Sequence, residues 1–212
     1  MKKKMKKYDI IIVGAGLTGA MIAYKNRGKK ILVIEKKGEI GGFCHTFSWN
    51  NINIHKYGTH VFHTDKKEIW DFVNSITPFI PYQLNVKATN NGKIYSLPFN
   101  MNTWYQLWGC TDIEDAKQKV RDNWDEVVNI LIKGYSEKQW GRELKDIPGD
   151  IIKRIPVRFT WNNNYHYDKY AGIPECGYTE FIAKLFGDAD ILFNTDYLKD
   201  KSKWECLADE IY

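Results

Sequence analysis

Apolar residues recur in short unbroken runs in some stretches of this chain and at intervals of three and four in others. The two patterns predict strands and helices respectively. Asp9 to Val13 is a β-branched run, an apolar helical stretch follows that Gly28 would stop, and Ile31 to Ile34 is a second strand ending in Glu35. This strand–helix–strand rhythm is a βαβ unit. Farther on, Asp65 and Glu68 have capping-box spacing, and Ile69, Phe72, Val73 and Ile76 form one apolar helical stripe, read as core, that Pro78 ends. Tyr82 to Ala88 and Lys93 to Leu97 alternate like strands around Asn91-Gly92, a strong hairpin turn. Thr111-Asp112-Ile113-Glu114 reads as a second capping box. From there Ile113, Ala116, Val120, Trp124, Val127 and Leu131 predict a helix to about Gly134. Tyr135 to Gly141 reads as a polar, aromatic loop and a candidate ligand wall. Tyr178 to Phe186 is a short amphipathic helix, Asp190 to Phe193 a strand, and Leu207 to Tyr212 a further buried strand.

The first βαβ unit carries the chemistry. Gly14, Gly16 and Gly19 stand in the spacing G-x-G-x-x-G directly after the first strand, and Glu35 lies 21 residues after Gly14. The first glycine permits the tight turn, the second lets a pyrophosphate approach the backbone, and the third lets the helix close on the sheet. The helix N-terminus offers free N–H groups to phosphates, and an acid at the second strand's end can accept hydrogen bonds from a ribose. Gly41-Gly42 soon after is where backbone must pass close to ribose and phosphate, which tilts the expected cofactor from NAD towards FAD. The lysine-rich Met1 to Lys7 followed by apolar Ile10 to Ala23 imitates a secretory signal, but Asp9 and three glycines interrupt it and the βαβ pattern runs through it.

Composition narrows the classes. The 212 residues are 43% hydrophobic, enough for a buried core, and no apolar stretch is long enough to span a bilayer. Much of the net charge of +5 sits in residues 1–7, read as a solvated, disordered tail. The near-neutral remainder argues against a nucleic-acid footprint. Cys44, Cys110, Cys176 and Cys206 are scattered, which fits reduced thiols in a cytosolic protein rather than a disulfide framework or a zinc site. His60 and His63, three apart, would share a helical face or flank a bend; no third ligand stands near them, and no metal is expected. Arg154, before Pro156, would fork onto a diphosphate or serve as a plain surface cation.

Four longer stretches identify a family. They are HKYGTHVFHT (55–64), LPFNMNT (97–103), GYSEKQWG (134–141) and IKRIPVRF (152–159). With them the chain resembles bacterial UDP-galactopyranose mutase from Tyr8 to its last residue. The resemblance implies an α/β fold: a Rossmann-type FAD-binding domain with an inserted antiparallel sheet and a helical segment, incomplete at the C-terminus. The expected parts are residues 8–78 for FAD, 79–177 for an inserted substrate-binding portion, and 178–212 for the return to the FAD domain. It implies interconversion of UDP-galactopyranose and UDP-galactofuranose with no net redox change, through attack of the reduced flavin on the anomeric carbon. By resemblance Gly14, Gly16, Leu17, Gly19, Glu35, Lys36, Gly41 and Gly42 hold FAD and His60 lies against the flavin. Tyr135 stacks on uracil and Trp140 lines the substrate pocket. Arg154, on a mobile loop, closes on the diphosphate, and Tyr165 hydrogen-bonds it; His60 and Arg154 are the expected catalytic residues.

Three departures from the family pattern temper this. The chain lacks the family's C-terminal part, the region around Trp124 to Val127 is short, and Cys176 replaces a usual glycine, where a Cβ would crowd the turn or the cofactor. The first helix is slightly short too. An unpaired sheet edge and an open groove would give weak FAD affinity and little or no mutase activity in this chain alone. The alternatives are another FAD-dependent oxidoreductase, or a non-catalytic fragment completed by a second chain. A homodimer is the other expected assembly.

Overall fold

A computed structural model describes residues 7–152 and 155–212. All but Lys7 of the expected basic tail, and Arg154, lie outside them. Two β-branched runs form the centre: Ile10–Val13 (β1) and Ile31–Ile34 (β2) pair in parallel, Ile10 opposite Ile31 and Val13 opposite Ile34. Leu17–Lys25 (α1) joins them. Side chains alternate between the two faces of a strand, so an unbroken apolar run is buried only if both faces are covered. Ile10 and Ile12 pack with Ala20 and Ala23 of α1, whereas Ile11 and Ile34 belong to a second cluster with Tyr8, Tyr197 and Trp204. The helix stops before Gly28. Asn26 caps it, its side-chain amide donating to the Ile22 carbonyl at 2.9 Å, and Gly28 takes φ +93° in the turn beyond.

Thr46–Trp49 (β3) and Ile52–His55 (β4) make an antiparallel hairpin that the sequence reading missed, turning at Asn50 and Asn51, both at positive φ. Phe62–Thr64 (β5) and Lys67–Ile76 (α2) follow. The box expected at Asp65 and Glu68 does not form. Lys66 occupies the N-cap without a side-chain bond, because the Asp65 carboxylate accepts the Lys169 amide at 2.9 Å instead. Of the α2 stripe, Phe72, Val73 and Ile76 reach the core and Ile69 stays 38% exposed. Phe79–Pro81 (β6) ends this part of the chain.

Gln83–Tyr167 forms a compact unit of its own, and the chain before and after it forms the other. Within it Val86–Asn90 (β7) and Lys93–Leu97 (β8) pair across Asn91-Gly92, at φ +47° and +77°, the expected hairpin with its first strand starting four residues late. Met101–Trp108 (α3) is capped by buried Asn100, whose side chain accepts the Asn102 amide. Ile113–Asp122 (α4) begins at Asp112, which accepts the Asp115 amide at 2.9 Å, so the cap falls one residue after the expected Thr111. The single predicted helix breaks at Asn123 and resumes as Trp124–Val127 (α5), a π-helical turn over Val128–Ile132, and Lys133–Trp140 (α6). Asn90 donates to the Ile130 carbonyl at 2.6 Å, satisfying an acceptor in that turn. Tyr135 to Trp140 is therefore helix, not loop; the polar run contains no breaker before Gly141, which caps it at φ +60°. Phe99, Met101, Trp104, Val127 and Ile132 form this unit's core. Gly149–Ile152 (α7) follows.

The chain then re-enters the first unit. Tyr170–Pro174 (β9) pairs antiparallel with β5 and β6, and Tyr178–Phe186 (α8) packs Phe181, Ile182 and Leu185 into the same cluster as α1. Asp190–Leu192 (β10) pairs with β2, Lys201–Glu205 (α9) follows, and Glu210–Ile211 (β11) pairs with β1. The sheet β10-β2-β1-β11 is wholly parallel, the α/β arrangement of a Rossmann-type unit. Among the described residues no helix is long and apolar enough to cross a membrane.

Candidate functional site

The expected crossover is present. Gly14 follows β1 at φ +105°, its amide donating to the Ile34 carbonyl at 2.9 Å, and an added Cβ there would meet nothing within 4 Å. Gly16 is the N-cap of α1, with no side-chain cap and no acid in the first turn, so no side chain of that turn competes for the helix's leading amides. A Cβ on Gly19 would lie 2.3 Å from the Gly14 carbonyl oxygen, which is why α1 can approach the strand end only with glycine there. Gly41 and Gly42, at φ +116° and +57°, lie on this turn: the Gly41 amide donates to the Ala15 carbonyl at 2.8 Å, and a Cβ on Gly42 would come 3.3 Å from the Gly16 Cα. The two glycine stretches, distant in sequence, thus form one backbone-lined cradle.

Glu35 faces the cradle and is 9% exposed. Its carboxylate accepts the Ala15 amide and the Lys37 amide, each at 2.7 Å. A carboxylate has about four lone-pair sites, so acceptor capacity remains for a ribose. Leu17 is the first residue of α1. Lys36 is exposed and pairs with Asp196 at 3.0 Å, which holds the Asp196 carboxyl below its usual pKa.

His60 lies between β4 and β5, so it and His63 share no helical face; His63 is in β5, its Nδ1 2.9 Å from the Asp168 carboxylate. The His60 amide donates to Nδ1 of His55 at 3.1 Å, and the His60 Nδ1 lies 2.7 Å from the Gly58 carbonyl. A carbonyl only accepts, so it is Nδ1 of His60 that donates in this contact. Burial, and then the nearby His60, lower the pKa of His55. Tyr178 meets both imidazoles edge-on at 5.5 and 6.4 Å, and burial raises the pKa of its hydroxyl, so it stays a neutral phenol.

In the second unit, Tyr135 and Trp140 on α6 are 70% and 46% exposed, and Tyr165 stands in a loop at 38%. Arg154, the expected diphosphate clamp, is outside the described residues. Cys176 does not crowd its turn: Gly177 takes the positive φ of +79°, and the Cys176 sulfur sits 3.3 Å from the Thr77 hydroxyl. Two side chains that the sequence reading passed over hold these candidates in place: His55 tethers His60, and Arg158 holds the loop of Tyr165.

Residues 130–212 match a family model described as UDP-galactopyranose mutase, and residues 12–76 match one described as an NAD(P)-binding Rossmann-like domain. The chain is 35% identical to dTDP-fucopyranose mutase of Escherichia coli, covering 87% of this chain and 55% of that protein. It is 34% identical to a probable UDP-galactopyranose mutase of Klebsiella pneumoniae, covering 85% of this chain and 53% of that one. Reduced UDP-galactopyranose mutase shares the fold in its crystal structure, with a TM-score of 0.62 at 15% identity over 88% of this chain and 48% of that one. The chain spans about half the length of the curated relatives it matches. The resemblance to the UDP-galactopyranose mutases holds, and the Rossmann-like match covers the glycine cradle read as a dinucleotide site.

Proposed function

We propose that this relative of the UDP-galactopyranose mutases holds FAD on the Gly14–Gly19 crossover and serves the interconversion of UDP-galactopyranose and UDP-galactofuranose. One observation carries the cofactor reading: the backbone of Gly41-Gly42 lies on the G-x-G turn, with Glu35 aimed at the same place. When bound and reduced, the flavin supplies the nucleophile that takes the anomeric carbon from UDP. In this reading the first amides of α1, beside Leu17, hold the pyrophosphate, Glu35 and Lys36 address the adenosine end, and His60 lies against the flavin. Tyr135 stacks on the uracil, Trp140 lines the sugar pocket, and Tyr165 donates to the diphosphate. Arg154 places a cation where negative charge grows as UDP departs. Base–aromatic stacking of this kind contributes about 1–3 kcal/mol.

The test is to load the protein with FAD, reduce it with dithionite and add UDP-galactofuranose. Appearance of UDP-galactopyranose only after reduction, even at the low rate expected of this chain alone, supports the reading. Substrate-dependent consumption of NADH or oxygen without isomerisation would replace it with an oxidoreductase. The same assay with dTDP-sugars reads the nucleotide preference, since one relative is named for a dTDP-sugar. Phe47, Trp49, Ile52 and Ile54 share one exposed face of the β3–β4 hairpin. That apolar face supports association with another copy of this chain, and a purified protein that sediments as a monomer would overturn it.

A further inference from the structure

Residues 158–167 fold back on themselves within the second unit, and one side chain closes the loop. The Arg158 amide donates to the Phe99 carbonyl at 2.8 Å, and its own carbonyl accepts from the indole of fully buried Trp104 at 3.0 Å, so the base of the side chain is anchored in the core. The guanidinium then reaches across the loop. Nη1 donates to the Asn164 carbonyl at 2.9 Å and Nη2 to the Tyr165 carbonyl at 3.0 Å. Its flat face lies 4.1 Å over the Tyr167 ring, whose hydroxyl is 3.1 Å from the Thr160 hydroxyl. On the other side the Tyr165 amide donates to the Leu84 carbonyl at 2.7 Å. Both peptide groups of Tyr165 are thus held while its ring stays partly open to solvent.

A loop without ladder partners leaves carbonyls in need of donors. The rigid fork of a guanidinium satisfies two successive ones at once and stacks on a ring, which a single ammonium cannot reproduce. Among the described residues Arg158 forms no ion pair with a carboxylate, so this cation is committed to the loop rather than to an acid.

We propose that Arg158 is the positioning residue for Tyr165, fixing that ring for contact with the diphosphate of a nucleotide-sugar. The proposal rests on the nucleotide-sugar reading above. It is tested on the full chain by titrating UDP and uridine into the wild type, Arg158→Lys, Tyr165→Phe and the double variant. Arg158→Lys is expected to weaken UDP about tenfold and leave uridine unchanged, and the double variant to bind UDP no worse than the weaker single one. Tyr167→Ala, which removes the shelf under the guanidinium, gives the same UDP-only loss by an independent route. Unchanged UDP affinity in Arg158→Lys, parallel loss of UDP and uridine, or losses that add with Tyr165→Phe would overturn the proposal. A wild type that binds neither ligand overturns the nucleotide-sugar reading itself.

Discussion

One substitution made at two glycines should have opposite effects. In α1, an alanine Cβ at Gly19 would lie 2.3 Å from the Gly14 carbonyl oxygen and 3.0 Å from Cγ2 of Ile12, which is almost fully buried. Neither neighbour is the free end of a flexible side chain, so α1 must draw back from β1 and loosen Ala20 and Ala23 against the sheet. Overpacking of this kind costs about 1–3 kcal/mol, while alanine gains about 1 kcal/mol over glycine inside a helix. The net expectation for Gly19→Ala is a loss of up to about 2 kcal/mol. In α6, a Cβ at Gly134 meets nothing within 4 Å and the residue does not have positive φ, so Gly134→Ala retains only the helix gain of up to about 1 kcal/mol. Urea unfolding followed by far-UV circular dichroism reads both. With a slope of about 2 kcal/mol/M, Gly19→Ala lowers the midpoint by up to about 1 M and Gly134→Ala raises it. A Gly19→Ala midpoint raised as far as that of Gly134→Ala would refute the close approach of helix to strand.

Other expectations follow from single side chains. His55 is held below its ordinary pKa of 6.5 by burial and by His60, so the unfolded chain takes up a proton that the folded one resists. Stability is therefore lost as pH falls through and below about 6.5, and the drop in melting temperature between pH 7.5 and 5.5 should shrink in His55→Asn. Trp104→Ala removes a fully buried indole that stacks on Trp108 and Phe159 and donates to the Arg158 carbonyl. It should cost about 3–5 kcal/mol in urea unfolding, and a loss below about 1 kcal/mol would contradict the packing described.

The crossover, the Asn91-Gly92 hairpin and α8 were legible in the sequence because each is specified by neighbours within a few residues. The signals for β3 and β4 are also local, in the alternation of Phe47 and Trp49 with Thr46 and Ser48 and in the Asn50-Asn51 pair. Asp65 departs from its local pattern for a physical reason: its cap loses to the Lys169 amide, a partner 104 residues away that only the pairing of β9 with β5 delivers. The helix α6 carries no apolar stripe, so nothing in its own residues announces it; it continues from the preceding π-helical turn and ends at Gly141. The tethers on His60 and Tyr165 were invisible for the same reason as the Asp65 bond, since they exist only once loops close.

The central claim is that the two glycine stretches cradle FAD, and Gly16→Ala tests it most directly. Gly16 has φ −88°, and its added Cβ would meet only the Gly42 Cα at 4.0 Å, so the fold accepts the methyl group while the space over the turn does not. Titration of FAD followed by flavin fluorescence should show saturable quenching with the wild type. Gly16→Ala should weaken it by about tenfold or more with no fall in the urea midpoint. No saturable uptake by the wild type, or equal uptake by Gly16→Ala, would contradict the account.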